Sequence, residues 1–173
     1  QYENIAWYED GKVKILDRRI YPARVEFVTC GTHQEVAQAI TDMVTQSAGP
    51  YTAVPMGMAL AAHEFRDKTA AEQMEYLRKA AHTISHARPT TVKRMALLCD
   101  LCLAEAERAL AAGEDTAQAI VNKTVELNNT RYERVAKIGK YLVDLFPENG
   151  TVMTHCFAET IVGMMLRECS ERG

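Results

Sequence analysis

The hydrophobic period of the chain changes once, near residue 30. Before that point apolar and polar positions alternate. The runs Ile5-Ala6-Trp7-Tyr8 and Lys12-Val13-Lys14-Ile15-Leu16 flank Glu9-Asp10-Gly11, and Val25-Glu26-Phe27-Val28 follows Pro22. An Asp-Gly pair between two such runs signals a tight hairpin, so this part predicts a small three-stranded antiparallel sheet whose edges need cover. From Thr32 the spacing is helical. Val36, Ile40, Met43 and Val44 predict a helix opened by the capping box Thr32-His33-Gln34-Glu35 and closed near Ser47-Ala48-Gly49-Pro50. A short helix rich in Ala and Met is expected over residues 56–65, where small side chains let backbones approach closely.

Thr69-Ala70-Ala71-Glu72 is a second capping box, opening a helix with Met74, Leu77, Ala81 and Ile84 inward. That helix stops before Arg88-Pro89, because proline disfavours helical geometry in the residue ahead of it. Thr90 or Thr91 caps the next, with Val92, Met95, Leu98, Cys102 and Leu103 on one side and its end at Gly113. Asp115 to Gln118 opens a long helix reaching about Phe146. Gly139 inside it costs about 1 kcal/mol unless something packs close. After the turn Pro147-Glu148-Asn149-Gly150, Val152 and Met153 read as a short apolar strand. A polar elbow Thr154-His155-Cys156 follows, then a helix patterned by Ile161, Met164, Met165 and Cys169. A strand feeding a helix is the opening unit of a parallel α/β sheet, and only one such unit is present.

The expected fold class is therefore α+β: a sheet over residues 1–30, a helical bundle over 31–147 forming one domain with it, and over 148–173 the start of a second domain that is otherwise absent. The chain opens on Gln1 rather than Met, which points to a trimmed or partial chain. At 173 residues it can bury a real core, and 47% hydrophobic and 25% charged residues are the balance of a soluble globular protein. The net charge of −3, with no dense Lys/Arg cluster, argues against nucleic acid as a partner. No apolar run can span a bilayer and no secretory signal is present, so no membrane is expected. Five cysteines, two of them inside a helical pattern, suit a reduced cytoplasmic setting better than a disulfide framework.

Four groups of residues could carry chemistry. Cys99 and Cys102 have the spacing zinc sites use, but a single pair sharing a face with Leu98 and Leu103 reads as core packing. His82 and His86 lie four apart with no acidic or Cys partner at a useful spacing, which reads as a solvated helix end. No metal and no cofactor is expected. Arg88-Pro89-Thr90-Thr91 places a bidentate donor beside a helix N-terminus, a pairing that suits phosphate; an arginine salt-bridged at a helix start fits the segment equally. Gln46, Ser47 and Gly49 lie ahead of another helix start and form a second candidate for phosphate binding, though a Gly-Pro turn by itself means only a turn. Cys156 is the sharpest position. It lies at the carboxyl end of a presumed parallel strand and ahead of a helix N-terminus, which lowers a thiol pKa and makes it a candidate nucleophile or acid/base; the alternative is a plain buried Cys.

Five segments in register resemble the methylthioribose-1-phosphate isomerase family. They are IAWYEDGKVKILDRR at 5–19, GMALAAHEF at 57–65, ARPTTV at 87–92, IGKYLVDLFPENG at 138–150, and the tail GTVMTHCFAETIVG at 150–163. That family is related to the regulatory subunits of the eukaryotic nucleotide-exchange factor for translation initiation. The resemblance implies an N-terminal sheet-and-helix domain and a larger Rossmann-like C-terminal domain, so residues 148–173 would be the first βα unit of a truncated Rossmann-like domain. It implies an aldose-to-ketose isomerisation of a 1-phosphorylated sugar in methionine salvage, a homodimer at full length, Cys156 as the catalytic cysteine and Arg88 as a phosphate binder. It also implies a catalytic aspartate in the second domain, without which this chain would be inactive.

Two departures stand out. The family's RGAP loop carries another phosphate-binding arginine, whereas this chain reads Gln46-Ser47-Ala48-Gly49-Pro50; and Phe157 follows Cys156 where the family commonly has Asn. Exchanging a bidentate cation for a neutral side chain weakens a phosphate clamp. Two functions are thus expected: part of a sugar-phosphate isomerase, or a non-catalytic subunit that binds a phosphorylated sugar or nucleotide and a protein partner, whether the missing domain or another chain.

Overall fold

The structure, a computed structural model, describes residues 5–155 and 158–173. Its elements run in the order β1 (Ala6–Glu9), β2 (Lys12–Leu16), β3 (Phe27–Cys30), α1 (His33–Thr41), α2 (Pro50–Glu64), α3 (Ala70–Ser85), a 3₁₀ turn (Pro89–Thr91), α4 (Val92–Ala112), α5 (Thr116–Val143) and α6 (Glu159–Arg172). They divide into two compact units, Gln1–Val125 and Glu126–Gly173. The division falls inside α5, whereas the boundary expected at 147/148 lies where that helix has already given way to a turn.

The first unit holds the mixed sheet-and-helix fold that the change of period predicts. β1, β2 and β3 form an antiparallel sheet in that order, with Asp10-Gly11 as the two-residue turn, both at positive φ (48° and 71°) as a hairpin matched to strand twist requires. The third strand sits two residues later than the alternation suggested. β2 sets the register by pairing Leu16 with Phe27 and Val13 with Cys30, which buries Cys30 and leaves Val25 outside the ladder and 65% exposed.

The centre of the unit is α2. It packs against β1, β2, α1, α3 and α4, and from Thr52 to Ala62 every residue is buried. A helix apolar on all sides is one built for the interior. Gly57 lies where a Cβ would come within 2.8 Å of Val36 Cγ1 and 3.1 Å of Ile84 Cδ1, so α1 and α3 close on the α2 backbone there. Small residues on this helix thus do what their composition suggested. Its start, however, is Pro50, not residue 56. Proline fits the first helical position, where the missing N–H is not needed, and the helix runs on through Pro55.

α1 also departs from expectation, ending at Thr41 rather than near Ser47. Val44 N–H donates to the Ala39 carbonyl (3.0 Å) and Met43 N–H to Ile40 (3.3 Å), while Met43 takes a left-handed φ of 60°. This is the Schellman closure, with methionine where glycine is usual. Val44 still reaches the core, but from a loop, and Met43 is exposed. The later helix boundaries follow the caps. Thr69 and Glu72 form the full reciprocal box, α4 ends on Gly113 at φ 68°, and Asp115 Oδ1 accepts from Gln118 N–H at 2.9 Å.

In the second unit the end of α5 meets α6 at Gly139, where a Cβ would stand 3.1 Å from Met164 Cβ; the glycine is there because the helices cross closely. Arg172 binds Asp144 (2.7 Å) and Glu168 (2.8 Å). Of the apolar face expected on α6, Met165 is buried, while Cys169 is exposed. The strand expected at Val152 and Met153 does not form: residues 151–154 pair with no ladder among the described residues, and Met153 is 93% exposed. A lone strand is marginal without neighbouring strands to complete a sheet.

Candidate functional site

Arg88 is placed by the way α3 ends. The helix stops at Ser85, and Pro89 holds Arg88 in an extended conformation (φ −138°, ψ 117°). The Thr41 hydroxyl donates to the carbonyl of neighbouring Ala87 at 2.9 Å, tying this segment to the end of α1. The 3₁₀ turn then leads into α4, where the threonines behave differently from expectation: the Thr91 hydroxyl turns back to the Arg88 carbonyl (3.4 Å) and no side chain caps the helix. The start of α4 therefore has no side-chain cap, and the Thr91 N–H donates to the Arg88 carbonyl at 3.1 Å within the 3₁₀ turn.

Between this start and that of α2 lies a pocket of about 200 Å³ lined by Ser47, Pro50, Tyr51, Arg88, Thr91, Arg94, Met95 and Leu98. It contains two guanidinium groups and no carboxylate. Among the described residues neither Arg88 nor Arg94 is ion-paired, and Arg94 lies over the Tyr51 ring at 5.0 Å from its centroid. Cationic forks, an uncapped helix start and apolar walls form an environment for an anion carrying an apolar portion. The equal alternative from sequence, an Arg88 salt-bridged at its helix start, has no support among the described ion pairs.

The structure thus brings Arg88 and Ser47 together, and adds Tyr51, Thr91 and Arg94, which the sequence reading did not single out. Arg94 lies six residues beyond Arg88, and no local pattern marks the two as partners. Gln46 and Gly49 do not line the pocket. The Gln46 amide donates to the Met43 carbonyl at 3.1 Å, inside its own turn. Gly49 is buried at the start of α2, where a side chain would collide with Thr45 Oγ1, so its part is to let the turn close. Cys156 and Phe157 lie outside the described residues. His155 is exposed.

Two other polar places serve as contrasts. A cavity of about 290 Å³ near the ends of α2 and α4 is lined by His63 and Arg66 but also by Asp67, Glu114 and Asp115, a mixed set unsuited to an anion; Glu114 already holds Arg108 through two bonds of 3.0 and 2.6 Å. The second place is half-buried. Glu64, at the end of α2, accepts from the His33 backbone N–H (2.7 Å) and the Tyr76 hydroxyl (2.5 Å), and its other contact is His33 Nδ1 (2.7 Å). Burial pushes its pKa up, but the hydrogen bonds from His33 and Tyr76 outweigh that and hold it below the usual carboxylate value. This clasp joins α1, α2 and α3. Its partners stand 31 and 12 residues from Glu64, a separation no local motif reveals. Cys99 and Cys102 are packed in the core, as their shared face suggested, and His82 and His86 stack at 4.0 Å on an exposed helix end.

The sequence profile of the Initiation factor 2 subunit family matches residues 48–173, a stretch that includes the whole pocket apart from Ser47. The chain belongs to that family. Among its relatives, the methylthioribose-1-phosphate isomerase of Carboxydothermus hydrogenoformans is 31% identical over 156 residues, covering 88% of this chain and 44% of its own. That of Natranaerobius thermophilus is 29% identical over 152 residues, covering 86% and 44%. In structure, the translation initiation factor eIF-2B subunit delta from A. fulgidus superposes with a TM-score of 0.78 at 26% identity, over 97% of this chain and 51% of that one. A 5-methylthioribose 1-phosphate isomerase from Pyrococcus horikoshii, at 24% identity and a TM-score of 0.74, shares the fold. The chain spans less than half the length of the curated relatives it matches.

Proposed function

We propose that this chain supplies the phosphate-holding part of an aldose–ketose isomerase acting on a 1-phosphorylated sugar of the methylthioribose 1-phosphate type. The observation that carries the reading is the pocket at the start of α4, where Arg88 has no ion-pair partner among the described residues and the lining holds no carboxylate. A phosphoryl group there would meet the Arg88 fork, the hydroxyls of Ser47 and Thr91 and the uncapped α4 amides, while Met95, Leu98 and the Tyr51 ring would take an apolar substituent. The names of the curated relatives support this substrate class.

The reaction moves hydrogen between C2 and C1 of a sugar whose ring the 1-phosphate locks, so ring opening must accompany it. Cys156 is assigned the acid/base role on its place in the Thr154-His155-Cys156 elbow. Such work needs a second group within hydrogen-bond reach, which the resemblance puts outside this chain, and the chain alone is expected to bind without turnover. The test is turnover of methylthioribose 1-phosphate by the full-length protein and its Cys156→Ser and Arg88→Gln variants. Loss of kcat in the first and a rise in KM in the second are expected; equal turnover by all three overturns the reading.

A second reading, a non-catalytic subunit that binds a phosphorylated ligand and a protein partner, is favoured by the Gln46-to-Pro50 loop, which carries no arginine where the resemblance expects one, and by Phe157 after Cys156. It predicts that the full-length protein is stabilised thermally by the sugar phosphate but does not convert it.

A further inference from the structure

The pocket holds a second cation that the proposed function does not use. Arg94 is the third residue of α4, and it faces the same 200 Å³ space as Arg88 from the opposite end of the 3₁₀ turn. No acid answers either guanidinium within the lining. Two like charges held at one small pocket repel, and that repulsion is relieved when an anion of matching charge enters. A phosphomonoester carries about −1.5 to −2 at neutral pH, which matches two guanidinium groups and not one.

Arg94 is also poised for the task. Its guanidinium rests over the Tyr51 ring, a contact that orients the side chain without consuming its N–H donors, and Tyr51 is itself a pocket residue on the first turn of α2. The geometry points to Arg94 as the second phosphate-binding residue of this site: with Arg88 it forms a two-arginine clamp selective for dianionic phosphomonoesters, resting on Tyr51 until the ligand arrives. This inference rests on the phosphate reading of the pocket and deepens it. It also answers the neutral Gln46-to-Gly49 loop, since the clamp draws both cations from the α3–α4 junction.

The experiment is calorimetric titration of the full chain with ribose 1-phosphate, and with unphosphorylated ribose as the comparison. Its variants are Arg88→Gln, Arg94→Gln, Arg94→Lys and the neighbouring Lys93→Gln, which lies outside the pocket lining. Charge-assisted hydrogen bonds contribute about 1.5–3 kcal/mol, so Arg94→Gln is expected to weaken ribose 1-phosphate binding by about 10- to 100-fold, with Arg94→Lys between it and the wild type. Arg94 is exposed, so the ligand-free Tm of the variant should not move, and Lys93→Gln should bind as the wild type does. Wild-type affinity should fall as pH drops through about 6, where a phosphomonoester takes up its second proton.

Weakening by Arg88→Gln but not by Arg94→Gln overturns the clamp and leaves the proposed function standing. Equal weakening by Lys93→Gln also overturns it, since a diffuse surface charge would then explain the effect. Binding of ribose as tight as that of ribose 1-phosphate overturns the clamp and the phosphate reading together.

Discussion

The two compact units treat their apolar residues in opposite ways. In the first, Val13, Ile15, Val36, Ile40, Leu60, Leu77 and Ile84 are all fully buried, and they converge on one helix. In the second, Ile138, Tyr141, Leu145, Met153 and Leu166 all stand exposed, Leu145 at 79%. Among the described residues its buried positions are few: Asn128, Gly139, Val143 and Met165. The first unit closes a large apolar core around α2, though Val25, Leu97 and Leu101 remain exposed on its surface, and that core holds the two helix starts bordering the cationic pocket. The second covers few of its apolar positions, Val143 and Met165 among them, so hydrophobic residues contribute less to its stability than to that of the first. Hydrophobic content measures what a segment has to bury, and stability depends on whether a partner is there to bury it against.

The sharpest way to break this contrast is a matched pair of truncations. Leu60→Ala, at the centre of the first unit, should cost about 2–5 kcal/mol, whereas Leu145→Ala in the second should stay within about 0.5 kcal/mol. Trp7, the only tryptophan, lies in β1 and reports on the first unit during urea unfolding, with helical circular dichroism as a second probe. A Leu145→Ala penalty comparable to that of Leu60→Ala would show that the second unit has a core of its own.

A smaller effect is expected at the Glu64 clasp. Glu64→Ala leaves the His33 N–H and the Tyr76 hydroxyl without their acceptor, at about 1–3 kcal/mol. The pH dependence follows from the sign of the shift. Glu64 is held below its unfolded pKa, so its contribution is complete above the ordinary glutamate range and fades as pH falls through the lower, folded value. The loss of stability between neutral and acid pH should therefore be smaller in Glu64→Ala than in the wild type; identical pH profiles would mean that the carboxylate is not charged in the clasp.

What could be read from the sequence, and what could not, follows the same physics. The hairpin was legible because Asp10-Gly11 is a turn with few alternatives, and α3, α4 and α5 because Thr69, Glu72, Gly113 and Asp115 announce their ends. Two helices close with the same hydrogen-bond pattern, Glu114 N–H to the Ala109 carbonyl in α4 and Val44 N–H to Ala39 in α1. The first was foreseen because glycine fills the left-handed position, and the second was missed because Met43 does. The start of α2 was hidden behind two prolines. Arg88 could be picked out beside a helix start, but Arg94 and Tyr51 become site residues only when α2 and α4 are brought side by side. Nothing local in either segment marks that meeting.

The buried thiols of the first unit make the molecule its own probe of motion. Burial pushes the Cys30 thiol up to about 11 and Cys99 to about 12, and Cys102 higher still, whereas Cys169 on α6 is exposed. An alkylating reagent attacks the thiolate, so in the native state it should modify Cys169 readily and leave those three alone. Each slow modification of Cys99 or Cys102 would then time a single opening of the α4 interface, and peptide-resolved mass spectrometry would read those openings without a denaturant being added.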